Sequence, residues 1–120
     1  MKKGAWKNRI KKHMQAVGTF RDAFIPIIDT LAQILEERDK VYERYISEGA
    51  EAVVEYTNKN GSTNKNKNPL LVTWNGLNAT ALNYWRDLGL TPAGLRKIDE
   101  SALKAKSNVS LGDIINSLGG

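Results

Sequence analysis

Seven cations, Lys2, Lys3, Lys7, Arg9, Lys11, Lys12 and Arg21, stand in the first 21 residues with no acid among them. Residues 22–56 reverse the sign, with nine acids against Arg38, Lys40 and Arg44. Clustered Lys and Arg neutralise phosphates and release condensed counterions, so the front block is the candidate contact for a polyanion such as DNA or RNA. The competing reading is solubility, because Lys-rich ends commonly stay solvated and bind nothing.

The catalytic inventory is thin. The chain of 120 residues has no Cys and a single His, which removes disulfides, thiolate nucleophiles and Cys-based metal sites. His13 lies among the cations, where a solvated or phosphate-facing role is the expectation and no triad can be assembled around it. Glu36, Glu37 and Asp39 are the best candidates for a Mg²⁺ site, yet acids interleaved with Arg38 and Lys40 on a helix form a salt-bridged, solvated face. Gly61-Ser62-Thr63-Asn64-Lys65 resembles a phosphate loop only superficially, since it lacks the two-glycine spacing and the Gly-Lys-Ser/Thr ending. Trp74, Tyr84 and Trp85 could stack on bases, but both Trp follow a Leu stripe and core packing is the better reading. Trp6 either stacks on bases or anchors the first helix to the body. The expectation is therefore a protein without catalytic residues, metal or cofactor.

These side chains need elements to hold them. Ala5, Trp6, Ile10, Met14 and Val17 recur at three-and-four spacing and predict a short basic helix ended by Gly18. Thr19 and Asp22 have the spacing of a cap, but Pro26 fits only the first turn of a helix, so the main helix is predicted to start between Ala23 and Pro26. Phe24, Ile27, Ile28, Leu31, Ile34, Leu35, Val41, Tyr42 and Tyr45 carry its stripe to about residue 48, before Gly49. At ~1.5 Å per residue such a helix is about 35 Å long, more than a compact domain of this size spans, so part of the stripe should meet another copy.

Residues 50–57 have a strand-like composition, and Thr57 to Asn68 contains no apolar side chain. A small β-hairpin over 50–67 is the expectation. Asn68-Pro69 predicts a helix start, with Leu70, Leu71, Trp74, Leu77, Ala81, Leu82, Trp85 and Leu88 on one face until Gly89. Thr91-Pro92 opens a further helix through Leu95, Ile98 and Ala102. Ser110 and Asp113 predict a last short helix presenting Leu111, Ile114, Ile115 and Leu118.

The predicted fold is mainly α: a 24–48 and 69–88 antiparallel helix pair with short flanking helices and the hairpin, forming oligomers. Residues 1–18 form a basic arm or short helix, 19–106 the helical core and oligomerisation domain, and 107–120 a tail. Leu31, Ile34, Leu35, Val41, Tyr42, Tyr45, Trp74, Leu77 and Trp85 are assigned to core or oligomer contacts. No apolar run reaches the length of a membrane span or signal peptide, so a soluble, intracellular chain is expected.

Phe24-Ile-Pro-Ile-Ile-Asp-Thr-Leu-Ala-Gln-Ile-Leu-Glu-Glu-Arg-Asp39, Val54-Glu-Tyr-Thr-Asn-Lys-Asn-Gly61, Lys67-Asn-Pro-Leu70 and Ala81-Leu-Asn-Tyr-Trp-Arg-Asp-Leu-Gly-Leu-Thr-Pro-Ala-Gly-Leu95 resemble, in that order, a phage terminase small subunit. The resemblance covers roughly residues 18–104, and the Leu-Gly-Leu-Thr-Pro turn is its most specific part. A common family pattern has Asp before the first helical Pro; Ile25 stands there in this chain, a change that touches helix capping only.

The resemblance implies a non-enzymatic, ring-like homo-oligomer that binds viral double-stranded DNA in the host cell cytoplasm. It implies delivery of that DNA to the terminase large subunit, which carries the ATPase and nuclease. It does not fix the DNA contacts, so assigning them to Lys2, Lys3, Lys7, Arg9, Lys11, Lys12 and Arg21 rests on charge. Two rival readings remain at this level. One is a helical adaptor or scaffold whose Leu111, Ile114, Ile115 and Leu118 face docks a protein partner. The other is a helix-turn-helix transcription regulator, which residues 5–35 permit loosely.

Overall fold

The computed structural model describes residues 1–104. Helix α1 spans Lys3–Val17, a single 3-10 turn spans Asp22–Phe24, and α2 spans Ile25–Ser47. Strands β1 (Val53–Thr57) and β2 (Thr63–Lys67) follow, then α3 (Pro69–Asp87). Residues 92–104 are helical and form α4. The helix expected at 110–118, with Leu111, Ile114, Ile115 and Leu118, lies outside the described residues.

Each helix boundary follows from local chemistry. Gly18 ends α1 in the left-handed region at φ 79°, and the Thr19 N–H reaches back to the Met14 carbonyl at 2.9 Å, closing the last turn. Thr19 caps no helix. Its hydroxyl donates to the Leu88 carbonyl at 2.8 Å, joining the α1–α2 connection to the end of α3. Pro26 sits in the first turn of α2, where its missing N–H costs nothing.

Asn68 is buried and does three things at once. Its side-chain oxygen accepts from the Leu70 N–H at 3.0 Å and caps α3, its amide donates to Glu51 O at 2.9 Å, and its backbone N–H donates to Ala52 O at 2.8 Å. The same residue thus starts a helix and closes the base of the hairpin. β1 and β2 pair antiparallel from Val53↔Lys67 to Thr57↔Thr63.

Helices α2 and α3 form the expected antiparallel pair. Arg38 reaches Asn78 and the Tyr42 ring lies 5.5 Å from that of Trp74, so four residues forward on one helix are four back on the other. α1 packs on α2 as well, and its C-terminal end adjoins the end of α3. The core between them consists of Ile10, Met14, Ile28, Leu31, Ala32, Leu35, Ala81 and Leu88, with Trp6, Phe24, Ile34, Tyr84 and Trp85 packed around it. The basic first segment is therefore a docked helix that contributes two core side chains.

Leu88, Gly89, Thr91, Pro92 and Gly94 of the Leu88-to-Leu95 turn each have a physical reason. Leu88 is buried, and Gly89 adopts φ 75° against Thr19 and Ile98, where a Cβ would collide with both. The Thr91 hydroxyl accepts from the Gly94 N–H at 3.0 Å and starts α4, with Pro92 at its first position. Gly94 lies so close to α3 that a Cβ there would overlap the Arg86 carbonyl.

Candidate nucleic-acid interface

The cations of α1 separate into two rows. Lys3, Lys7 and Lys11, four residues apart, flank the buried Ile10 and Met14, whereas Arg9 and Lys12 turn outward. Lys3 and Lys7 meet Asp29 of α2, one on each carboxylate oxygen, at 3.0 and 3.4 Å. The Lys3 hydrogen bond is the main cause holding Asp29 below the usual carboxylate range. Glu36 accepts from the Lys3 backbone N–H, one of the donors that a helix N-terminus leaves unsatisfied, so α2 caps α1 across the fold. That bond, helped by Lys40 at 3.2 Å, lowers Glu36.

Asp39 is the third anchor. Burial pushes its carboxyl up, but hydrogen bonds from the Trp6 indole at 2.7 Å, the Met1 ammonium at 3.0 Å and Arg38 outweigh it and leave Asp39 below its ordinary value. Trp6 is half-buried, with the Arg9 and Arg38 guanidinium carbons 5.7 and 5.3 Å from its ring centre. Of the two roles open to it, the structure shows the anchor. Glu36, Glu37 and Asp39 are thus engaged with cations and amides, and no group of three metal-ligating side chains occurs among the described residues.

Lys2, Arg9, Lys12 and Arg21 are exposed, Lys11 is half-buried, and none of the five has an ion pair among the described residues. Arg21 donates to the neighbouring Phe20 carbonyl at 2.7 Å. The sequence-level assignment treats all seven cations alike, and the row spacing relative to Ile10 and Met14 is the signal that sorts them. It also passes over Asp29, Glu36 and Asp39 as the receptors of α1.

Among the residues assigned to core or oligomer contacts, Leu31 and Leu35 are fully buried, while Ile34, Val41, Tyr45, Trp74, Leu77 and Trp85 are half-buried. Tyr42 is 44% exposed and Ile46 50% exposed. Both continue the α2 stripe past Glu36 and Asp39, where α1 stops covering it. Val72 and Leu82 are exposed on the outside of α3.

An open apolar recess of about 580 Å³ lies where α1 ends and α4 begins, lined by Val17, Trp85, Leu90, Pro92 and Leu95, with His13 its one titratable group. A recess with so few convergent polar groups offers surface for packing and little for bond-making.

The described chain is thus a mainly helical body that carries outward cations on a helix clamped by the half-buried acids Asp29, Glu36 and Asp39. The family model for the phage terminase small subunit matches residues 3–104, and the chain belongs to that family. Membership places it in phage genome packaging, where the small subunit is generally the non-catalytic one. No curated protein and no solved structure matches the chain. No helix among the described residues is long and apolar enough to cross a membrane.

Proposed function

We propose that several copies of this chain assemble into a ring-like, non-enzymatic recognition particle that binds viral double-stranded DNA in the host cytoplasm and presents it to the terminase large subunit. The observation that carries this reading is the division of labour on α1. Lys3 and Lys7 hold the helix down on Asp29, which leaves Arg9 and Lys12 on its outer face, with the half-buried Lys11 beside them and Lys2 and Arg21 flanking the helix, to meet phosphates from a fixed platform. Preorganised charge loses less conformational freedom on binding than a loose arm would.

Self-assembly is supported by the exposed Ile46 and the exposed edge of Tyr42, whose ring also packs on Trp74, at the end of α2, and by exposed Val72 and Leu82 on α3. Exposed apolar side chains on two neighbouring helices are the surface on which copies could meet. The tail face of Leu111, Ile114, Ile115 and Leu118 is assigned to the large subunit or a neighbouring copy, and deleting residues 108–120 followed by separate assembly and pull-down assays distinguishes the two.

Deleting α1 would remove Ile10 and Met14 from the core, so charge neutralisation is the cleaner test of DNA contact. Arg9→Gln with Lys12→Gln should shallow the dependence of log affinity on log salt by about 1.8 on duplex DNA. An unchanged slope would remove α1 from the interface.

A further inference from the structure

The hairpin projects from the junction of α2 and α3 and contributes nothing to the core. Every residue of β2 is exposed, and β1 is exposed except at Val54. Residues 57–67 contain Lys59, Lys65 and Lys67 and no acid. Directly opposed residues share a face of a two-stranded ribbon. One face thus carries Val54 and Tyr56 with Asn64 and Asn66, and the other carries Val53, Glu55 and Thr57 with Thr63, Lys65 and Lys67. Tyr56 is 62% exposed.

The tip is nevertheless well tied. The Asn58 carboxamide accepts from the Asn60 and Ser62 N–H groups, both at 3.0 Å, Gly61 takes φ 80°, and the Thr57 and Thr63 hydroxyls are 3.1 Å apart. An isolated two-stranded hairpin is marginal in water, so a shaped but corefree ribbon points to a partner.

We propose that this hairpin is a second DNA contact, entering the major groove with Tyr56, Asn64 and Asn66 toward the base edges and Lys59, Lys65 and Lys67 reaching the phosphates at the groove walls. The inference rests on the DNA-binding reading above and adds to it a groove and a base-reading surface. Strands about 4.8 Å apart make a ribbon that, with its side chains, fits a groove of about 12 Å and is too wide for one of about 6 Å. A carboxamide can pair in bidentate fashion with the amino group and ring nitrogen of adenine, and an exposed tyrosine ring packs on a base or a thymine methyl. Association between copies is the competing use of an exposed ribbon. Protein interface cores are poor in Lys, whereas this ribbon and its tip set three Lys and several Asn beside Val53, Val54 and Tyr56, with Glu55 its one acid, so charge complementarity selects the nucleic acid.

The chain has no Cys, so Asn60→Cys supplies a unique anchor for a benzophenone photocrosslinker at the tip. The full chain is irradiated with a random-sequence pool of duplexes about 30 base pairs long, or three helical turns. The expected product is a protein–DNA adduct. In parallel, Lys59→Gln, Lys65→Gln and Lys67→Gln together should shallow the salt slope by about 2.7. Asn64→Ala with Asn66→Ala should keep the slope and lose the adenine preference in duplexes selected from the pool. If the parent chain binds the pool while the triple variant keeps its slope, the hairpin proposal is overturned and DNA binding through α1 stands. Crosslinks confined to a second copy overturn it in favour of an assembly contact. If the parent chain binds no duplex, both readings fail.

Discussion

The Trp6 indole N–H donates to the Asp39 carboxylate across 2.7 Å, tying the first turn of α1 to the second half of α2. Arg38 shares the same carboxylate at 3.0 Å. Asp39→Ala leaves these two donors and the Met1 ammonium without this acceptor, and the expected cost is about 1–2 kcal/mol. Urea unfolding followed by Trp emission measures it, with Asp39→Asn recovering part of the loss because an amide oxygen still accepts. A variant as stable as the parent would show that α1 is held by its apolar face alone.

The acids that receive α1 make its docking sensitive to acid. Asp29, Glu36 and Asp39 are all held below their ordinary values, so between those values and the folded ones the folded chain binds fewer protons than the unfolded chain. Stability from the three is full above about pH 5 and drains away as the pH falls through the folded values. Thermal midpoints recorded from pH 7 down to pH 3 should fall, and fall less steeply in Asp29→Asn, which has lost one of the titrating partners. Parallel curves for the two proteins would contradict the ion-pair account.

Two glycines should respond to alanine in opposite ways. At Gly94 a Cβ overlaps the Arg86 carbonyl, so Gly94→Ala has to push α4 off α3 and should cost on the order of 1–3 kcal/mol. Gly76 lies inside α3 with open space around it, and Gly76→Ala should stabilise the chain by about 0.5–1 kcal/mol. Denaturant midpoints of the two variants check both signs.

The uncovered end of the α2 stripe gives an assembly variant. Ile46 is half exposed in one copy, so Ile46→Glu should leave helix content unchanged and lower the mass of the particle in light scattering. A particle of parental mass would exclude this end of α2 from the contact.

How much of this can be read from the sequence depends on the range of the signal. Asn68-Pro69 and Thr91-Pro92 are local signals and mark the starts of α3 and α4, and the Phe24-to-Tyr45 periodicity delimits α2 within a residue or two. The hairpin is legible from its composition, although its register is set by pairing across the turn. Docking of α1 is not legible from charge counting. Asp29, Glu36 and Asp39 select Lys3 and the Trp6 indole across 26 to 33 residues of chain, and only the fold brings them together. The same long-range origin explains Thr19, whose spacing to Asp22 suggests a cap and whose hydroxyl instead meets Leu88. The Leu88-to-Leu95 turn is recognisable as a family motif, while its cause, the close approach at Gly94, is a property of the packed helices.

In the proposed assembly each copy leaves apolar surface for its neighbours, and the assembled copies hold duplex DNA. Light scattering on the purified chain at micromolar concentration, with and without duplex, tests it most directly. The account requires a particle several times the 13.3 kDa of one chain, gaining the mass of bound DNA at low salt. A single-chain mass that duplex DNA does not change would contradict it.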